Sequence, residues 1–394
     1  MMLEEISKKS GAGDKQFDPG GTIPEKECIL CGKCLQVCPI FSLTAKEELS
    51  PRAKYFLLQE LGAAKKELSE NKVKKLTDIC LNCERCVSIC PQGLNIPCSI
   101  LGLKSRSPGW KARIWGKLLN NLHLFYPLLS GWKKSKHLWA DSRGTTVGDK
   151  REIFPWLQIS AVKSLGKGAQ AVLFPGCLAR FGVVRWKDTA QELIKRANYS
   201  LLDMPDWNCC GFAIFRAGLP EETQKLQQGN LDLWRELNKP YIFVLCTSCL
   251  KALREMAQND LDWQGEEEEW LACLVPVSWI LQECEPELRA RYTDMELLLH
   301  RPCHACDRDW NNWKLIFQGT NIKEIDQCCG FGGCLQIENP GIPKLLGRHY
   351  WEGCAITDRP RQLLTECSAC ILQLNRFKPA NTQVLHCLDV IRFP

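Results

Sequence analysis

Short apolar runs that end at cysteines, each followed by helix-like sequence, set the pattern of the chain from Gln170 onward. Ala171-Val-Leu-Phe-Pro-Gly-Cys177 predicts a buried strand, and Glu296-Leu-Leu-Leu-His-Arg-Pro-Cys303 has the same construction. Tyr241-Ile-Phe-Val-Leu-Cys246 and Gln362-Leu-Leu-Thr-Glu-Cys367 predict two more strands, each entering a Cys-x-x-Cys turn that opens a helix. Between the members of each pair stands Cys-Cys-Gly, at Cys209-Cys210-Gly211 and at Cys328-Cys329-Gly330. Matching cysteines lie 126 residues apart (Cys177 to Cys303), 119 (Cys209 to Cys328) and 121 (Cys246 to Cys367), which marks an internal repeat. Strands alternating with helices predict parallel βαβ units. Open sheets of that kind place ligands at the carboxyl ends of strands, where these cysteines fall. Two copies facing each other would create one site region between them.

The upstream pattern differs. Residues 25–102 hold nine cysteines, eight of them in two runs separated by a helix-like stretch at 52–68. Residues 105–166 contain no cysteine, are rich in Trp, Lys and Leu, and predict a helical connector. Within it Trp110, Ile114, Trp115, Leu118, Leu119 and Leu122 recur at helical spacing, while Lys111, Arg113, Lys117, Lys133, Lys134 and Lys136 meet no acidic residue over 110–139. Such a helix either packs across its own domains or docks on a membrane surface or membrane subunit. The acidic run at 266–269 predicts a solvated loop, and the polar, Gly-rich segment 1–24 a mobile tail. The expected organisation is α+β overall. It comprises a tail (1–24), a helical two-cluster domain (25–104), a connector (105–169) and two pseudo-repeated α/β Cys-Cys-Gly domains (170–290 and 291–394).

Composition narrows the chemistry. The chain has 394 residues, 45% of them hydrophobic, and a formal net charge of +6, which gives no case for a nucleic-acid partner. No apolar run approaches the ~18 residues of a spanning helix, and 1–24 lacks the apolar core of a signal peptide. The expectation is a cytoplasmic protein, peripheral at the cytoplasmic membrane face if the connector docks there. Twenty-five cysteines in a reducing compartment point to metal or redox chemistry rather than disulfides.

Cys28-x2-Cys31-x2-Cys34-x3-Cys38-Pro39 and Cys80-x2-Cys83-x2-Cys86-x3-Cys90-Pro91 are bacterial ferredoxin runs. Three thiolates two residues apart can grip three irons of a cube, and the fourth is directed to the other cluster. This assigns one cubane [4Fe-4S] cluster to Cys28, Cys31, Cys34 and Cys90, and a second to Cys80, Cys83, Cys86 and Cys38. A pair of zinc knuckles is a poorer fit, because zinc takes four ligands rather than a chained set. Gly32 removes a side chain where backbone amides approach the cluster. In the repeats, adjacent cysteines point in different directions and suit different irons of a larger group. Gly211, Gly330, Gly332 and Gly333 supply close approach there. Buried structural thiols, or zinc held by two pairs, are the plainer alternatives for the repeats.

Two ferredoxin runs followed by two Cys-Cys-Gly repeats resemble the iron–sulfur subunit family of heterodisulfide reductases, of the D/B type. Its relatives include the iron–sulfur subunits of glycolate oxidase, of lactate utilisation and of anaerobic glycerol-3-phosphate dehydrogenase. The likeness extends to Glu48-Leu-Ser-Pro-Arg-Ala-Lys54, Leu173-Phe-Pro-Gly-Cys177 and Cys328-Cys329-Gly330-Phe331-Gly332-Gly333. The resemblance implies one or two non-cubane [4Fe-4S] clusters in the repeats. Cys177, Cys209, Cys210, Cys246 and Cys249 would hold the first. Cys303, Cys328, Cys329, Cys367 and Cys370 would hold the second, with Cys306 or Cys334 open as a replacement for one of them. Seven cysteines remain: Cys306, Cys334, and Cys98, Cys273, Cys284, Cys354 and Cys387, which read as core. His304 is a candidate proton relay or hydrogen-bond donor to cluster sulfur; His300 reads as packing.

No Gly-x-Gly-x-x-Gly follows a strand, so hydride chemistry would come from a flavoprotein or other redox partner. The expected function is one-electron transport within a multi-subunit oxidoreductase. The alternatives are a catalytic subunit that cleaves a disulfide at a Cys-Cys-Gly cluster, and a cluster-bearing scaffold without turnover.

Overall fold

In the computed structural model, residues 26–63, 75, 78–121, 152–289, 294–318, 322–354 and 358–394 are described. The expected tail, Leu122, Lys133, Lys134 and Lys136 lie outside them. Eleven strands occur among the described residues: β1 (Leu157–Val162), β2 (Gln170–Phe174), β3 (Ser200–Leu201), β4 (Tyr241–Val244), β5 (Leu274–Pro276), β6 (Cys284–Leu288), β7 (Glu296–His300), β8 (Ile322–Ile325), β9 (Arg361–Thr365), β10 (Thr382–His386) and β11 (Ile391–Arg392).

Two four-stranded parallel sheets carry the repeats, ordered β3-β2-β4-β5 and β8-β7-β9-β10. The orders are identical once the repeat offset is applied. The inner strands β2, β4 and β7 are near-continuous apolar runs because both faces are covered, as in parallel sheets generally, whereas the edge strand β8 exposes Lys323 and Glu324. Ala171, Leu173, Phe243, Leu297, Leu299, Leu364 and Leu385 turn into one core. Val172, Phe174, Ile242, Val244, Leu298, Leu363 and Val384 turn into a second. Each core draws on both sheets, so the repeats are packed as one body. Asp389 reinforces the join, accepting hydrogen bonds from Trp186 Nε1 at 2.7 Å and from Arg185 Nε at 2.5 Å.

Two expectations need correction. The connector is not wholly helical, since β1 lies within it and pairs in parallel with β11 and antiparallel with β6. Its inward residues Leu157 and Ile159 are buried beside the exposed Ser160, an alternation too short to stand out in the sequence. The acidic run is not a loop. Glu267–Cys273 is a helix whose first turn carries three glutamates, where the helix dipole favours negative charge. Arg235 and Lys239 pair with Glu266, and Lys239 also with Glu269.

The N-terminal part is helical, with helices Lys33–Val37, Pro39–Thr44, Pro51–Ala63, Arg85–Ser88 and Ile96–Arg106. Charge fixes it to the repeats. Arg85 pairs with Asp326 at 2.8 Å, Glu84 with Arg216 at 2.5 Å and Lys251 at 2.9 Å, and the buried Lys104 with Glu338. Helix Trp110–Asn120 turns Ala112, Gly116 and Leu119 inward against Ile214, Ala217 and Leu219. Trp110, Ile114 and Leu118, four residues apart, remain 65%, 47% and 37% exposed. The helix therefore both packs across the chain and keeps an unpaired apolar face.

Candidate metal centres

Each ferredoxin run folds as a tight loop leading into a short helix. Leu30 and Gly32 in the first, and Asn82 and Glu84 in the second, take the left-handed conformation at matching positions. The turn thus needs a left-handed residue after its second cysteine, and glycine is only one way to provide it. At Glu84 the conformation costs about 1–2 kcal/mol. The largely buried carboxylate is held well below its usual range, to about 2, by Arg216 and Lys251 against the opposing effect of burial.

These loops form two cavities of about 30 Å³ each. Cys28, Cys31, Cys34 and Cys90 line one with Gly32, Arg52 and Tyr55, and Cys86 closes its inner side. Cys38, Cys80, Cys83 and Cys86 line the other with Lys54. The fourth thiol of each run has crossed to the other's cavity. Burial raises the Cys38 and Cys86 thiols, and the buried Lys54 ammonium opposes it. The spacing of cysteines gives no sign of Lys54; its only trace is the Pro51-Arg-Ala-Lys54 stretch.

A third cavity, about 170 Å³, lies between the repeats. All ten predicted thiols line it: Cys177, Cys209, Cys210, Cys246 and Cys249 from the first, and Cys303, Cys328, Cys329, Cys367 and Cys370 from the second. The parallel strands account for this, since β2, β4, β7 and β9 all release their cysteines at carboxyl ends. The two Cys-x-x-Cys turns meet: Ser248 Oγ is 3.1 Å from Cys367 Sγ, and the Ser368 amide donates to Cys246 Sγ at 3.4 Å. Gly211 and Gly330 stand just behind, with φ of +81° and +80°. A Cβ there would come within 2.6 Å of Thr223 Cγ2 and 2.5 Å of Leu346 Cβ, so both turns need glycine twice over. Gly332 and Gly333 are on the cavity wall. The Cys209 and Cys249 thiols donate to Cys210, and those of Cys328 and Cys370 to Cys329, holding the second sulfur of each adjacent pair well below the ordinary thiol range.

Cys306 and Cys334 do not line this cavity. Cys306 donates to Asp309 at 2.9 Å and accepts from Arg254, while Cys334 is buried under helix Trp110–Asn120. His304 does line it. Its Nε2 lies 3.2 Å from the Asn82 carbonyl, which can only accept, so the proton sits on Nε2. Burial, with Arg216 nearby, pushes this imidazole down to about 4, leaving it neutral at pH 7. Glu366, unmarked in the sequence, is a buried acid pushed up to about 8 by desolvation.

One thiol joins the parts. Cys83 lines both the second ferredoxin-type cavity and the cavity between the repeats, and its sulfur is in hydrogen-bonding contact with Cys303 and Cys328. Nothing in the spacing of the runs points to this.

Soft thiolates with few competing oxygen donors suit iron–sulfur groups. The family models agree. Residues 25–94 match the 4Fe-4S dicluster domain, and residues 171–254 and 298–375 both match the Cysteine-rich domain. The chain belongs to the iron–sulfur proteins that join a ferredoxin-type dicluster domain to two such cysteine-rich domains. The glycolate oxidase iron-sulfur subunit of Escherichia coli (strain K12) is 22% identical over 391 residues, covering 93% of each chain. One of the subunits of the dihydromethanophenazine:CoB--CoM heterodisulfide reductase of Methanosarcina barkeri is 21% identical, covering 81% of each. The EtfAB:quinone oxidoreductase of Syntrophomonas wolfei is 23% identical over 88% of this chain and 54% of its own. The chain is thus a homologue of iron–sulfur subunits of oxidoreductase complexes. No helix among the described residues is long and apolar enough to cross a membrane.

Proposed function

We propose that the protein carries single electrons between a flavoprotein or similar redox partner and an acceptor. Cys28, Cys31, Cys34 and Cys90 would hold one cubane [4Fe-4S] cluster, and Cys38, Cys80, Cys83 and Cys86 another. The thiols of the two repeats would hold one or two further, non-cubane clusters. When bound, such clusters accept and release one electron at a time near constant geometry. The observation that carries this reading is Cys83, which lines the second ferredoxin-type cavity and the cavity between the repeats at once. The protein's share of the work is to fix the thiols, exclude water with apolar walls and supply positive charge from Lys54.

The test is an anaerobic redox titration of the whole chain. Centres in both the N-terminal domain and the repeats should titrate reversibly within reach of a biological donor. Centres that never change oxidation state would favour a scaffold. The exposure of Cys177, which lines the cavity between the repeats, favours disulfide cleavage as a second reading. Steady oxidation of a reduced dye by a thiol heterodisulfide would establish that reading, and no turnover would leave electron transfer alone.

The partner face is the outer side of helix Trp110–Asn120. Trp115 and Leu119 close the cavity from inside, while Trp110, Ile114 and Leu118 face outward between Arg113 and Lys117. We place an anionic membrane surface there. Each basic residue near such a surface contributes about 1 kcal/mol, so Lys111, Arg113 and Lys117 together favour anionic over zwitterionic vesicles on the order of a hundredfold. Co-sedimentation checks this. The preference should vanish in high salt, and binding should fall in the Trp110→Ser, Ile114→Ser, Leu118→Ser triple variant.

A further inference from the structure

The two repeats differ at a position close to their sulfurs. His300 ends β7 three residues before Cys303, and the residue three before Cys177 is Phe174. His300 is 0% exposed. Its Nδ1 lies 2.9 Å from the Tyr350 hydroxyl, whereas its Nε2 is buried with no hydrogen-bond partner among the described residues. A ring nitrogen of His300 and the sulfurs of Cys329 and Cys370 all lie within 4.8 Å of one another, and all three residues are buried. Tyr350 already engages Nδ1, so Nε2 is the ring nitrogen free to take a ligand. Cys303 and Cys328 also contact Cys83.

We propose that His300 Nε2 is a ligand of the iron–sulfur centre in the second repeat, forming with Cys329 and Cys370 a mixed histidine–cysteine donor set. Tyr350 is a positioning residue that fixes the ring through Nδ1, in the way outer-sphere partners commonly set a metal-bound imidazole. A neutral nitrogen adds no negative charge where a thiolate would, so the second centre differs electronically from the first, where Phe174 offers no donor. The inference rests on the reading that the second repeat holds iron.

The experiment uses the full chain, purified without oxygen from cells fed 15N-histidine. Pulsed electron paramagnetic resonance is recorded on the signal that Cys370→Ser removes. The expected result is a strong nitrogen coupling that changes with the label, persists in His304→Ala and is lost in His300→Phe. Tyr350→Phe should keep the coupling and shift the midpoint potential of this centre, leaving those of the N-terminal centres in place. If His300→Phe does not fold, the labelled wild-type chain and His304→Ala still decide the matter. A second-repeat signal with no label-sensitive coupling overturns the ligation and leaves electron transfer standing. So does a weak nitrogen coupling joined to an exchangeable proton, which marks an N–H donated to sulfur. If Cys370→Ser changes neither the spectrum nor the iron content, the second repeat holds no iron and both ideas fail.

Discussion

Replacing Cys83 by serine is expected to erase one of the two N-terminal cluster signals and also to disturb the signal of the second repeat. Cys31→Ser is the matched control, because Cys31 lines only the outer cavity. It should erase the other N-terminal signal and leave the repeats alone. The asymmetry follows from position. Cys83 touches Cys303 and Cys328 across a domain boundary, whereas Cys31 is exposed and lines neither of the cavities that Cys83 lines. Loss of the fold does not explain such a result, since the boundary is also held by Arg85–Asp326, Glu84 with Arg216 and Lys251, and Lys104–Glu338. Electron paramagnetic resonance of dithionite-reduced protein reads both variants. Identical effects of the two on the second-repeat signal would contradict the joining role of Cys83.

Cys210→Ser is expected to abolish the centre of the first repeat while the N-terminal signals persist. Cys210 is buried and accepts from both Cys209 and Cys249, so it is the thiolate around which that half of the cavity is arranged. A serine oxygen is a harder and far less acidic donor, poorly matched to an iron–sulfur group. The strands that release these cysteines are held mainly by the aliphatic and aromatic residues of two cores, in one of which Cys210 is one member of many. Serine is also close in size to cysteine, so the cavity is not collapsed. An unchanged spectrum would count heavily against a separate centre there.

Much of this arrangement is legible because the chain says it twice. The near-constant offsets between Cys177 and Cys303 and between Cys246 and Cys367 announce two βαβ units, and the sheets repeat the same strand order. The exchange of Cys38 and Cys90 between cavities follows from the Cys-x3 step alone. What stays hidden are contacts set by docking rather than by local sequence. Cys83 meets Cys303 across more than two hundred residues, an approach arranged by ion pairs with no periodic signature. Cys306 sits close to Cys303 in sequence, yet Asp309 and Arg254 hold it outside the cavity. His300 reads as packing in the sequence because its partners, Tyr350, Cys329 and Cys370, are supplied by later elements. β11 escapes a sequence reading because it has only two residues, and β1 because its partners, β6 and β11, lie far along the chain.

Iron and acid-labile sulfide in oxygen-free preparations of the whole chain test the central claim most directly. Two cubane clusters and one or two four-iron groups in the repeats predict a brown protein with about twelve to sixteen irons per chain and a comparable amount of sulfide. A colourless protein containing zinc and no labile sulfide would contradict it.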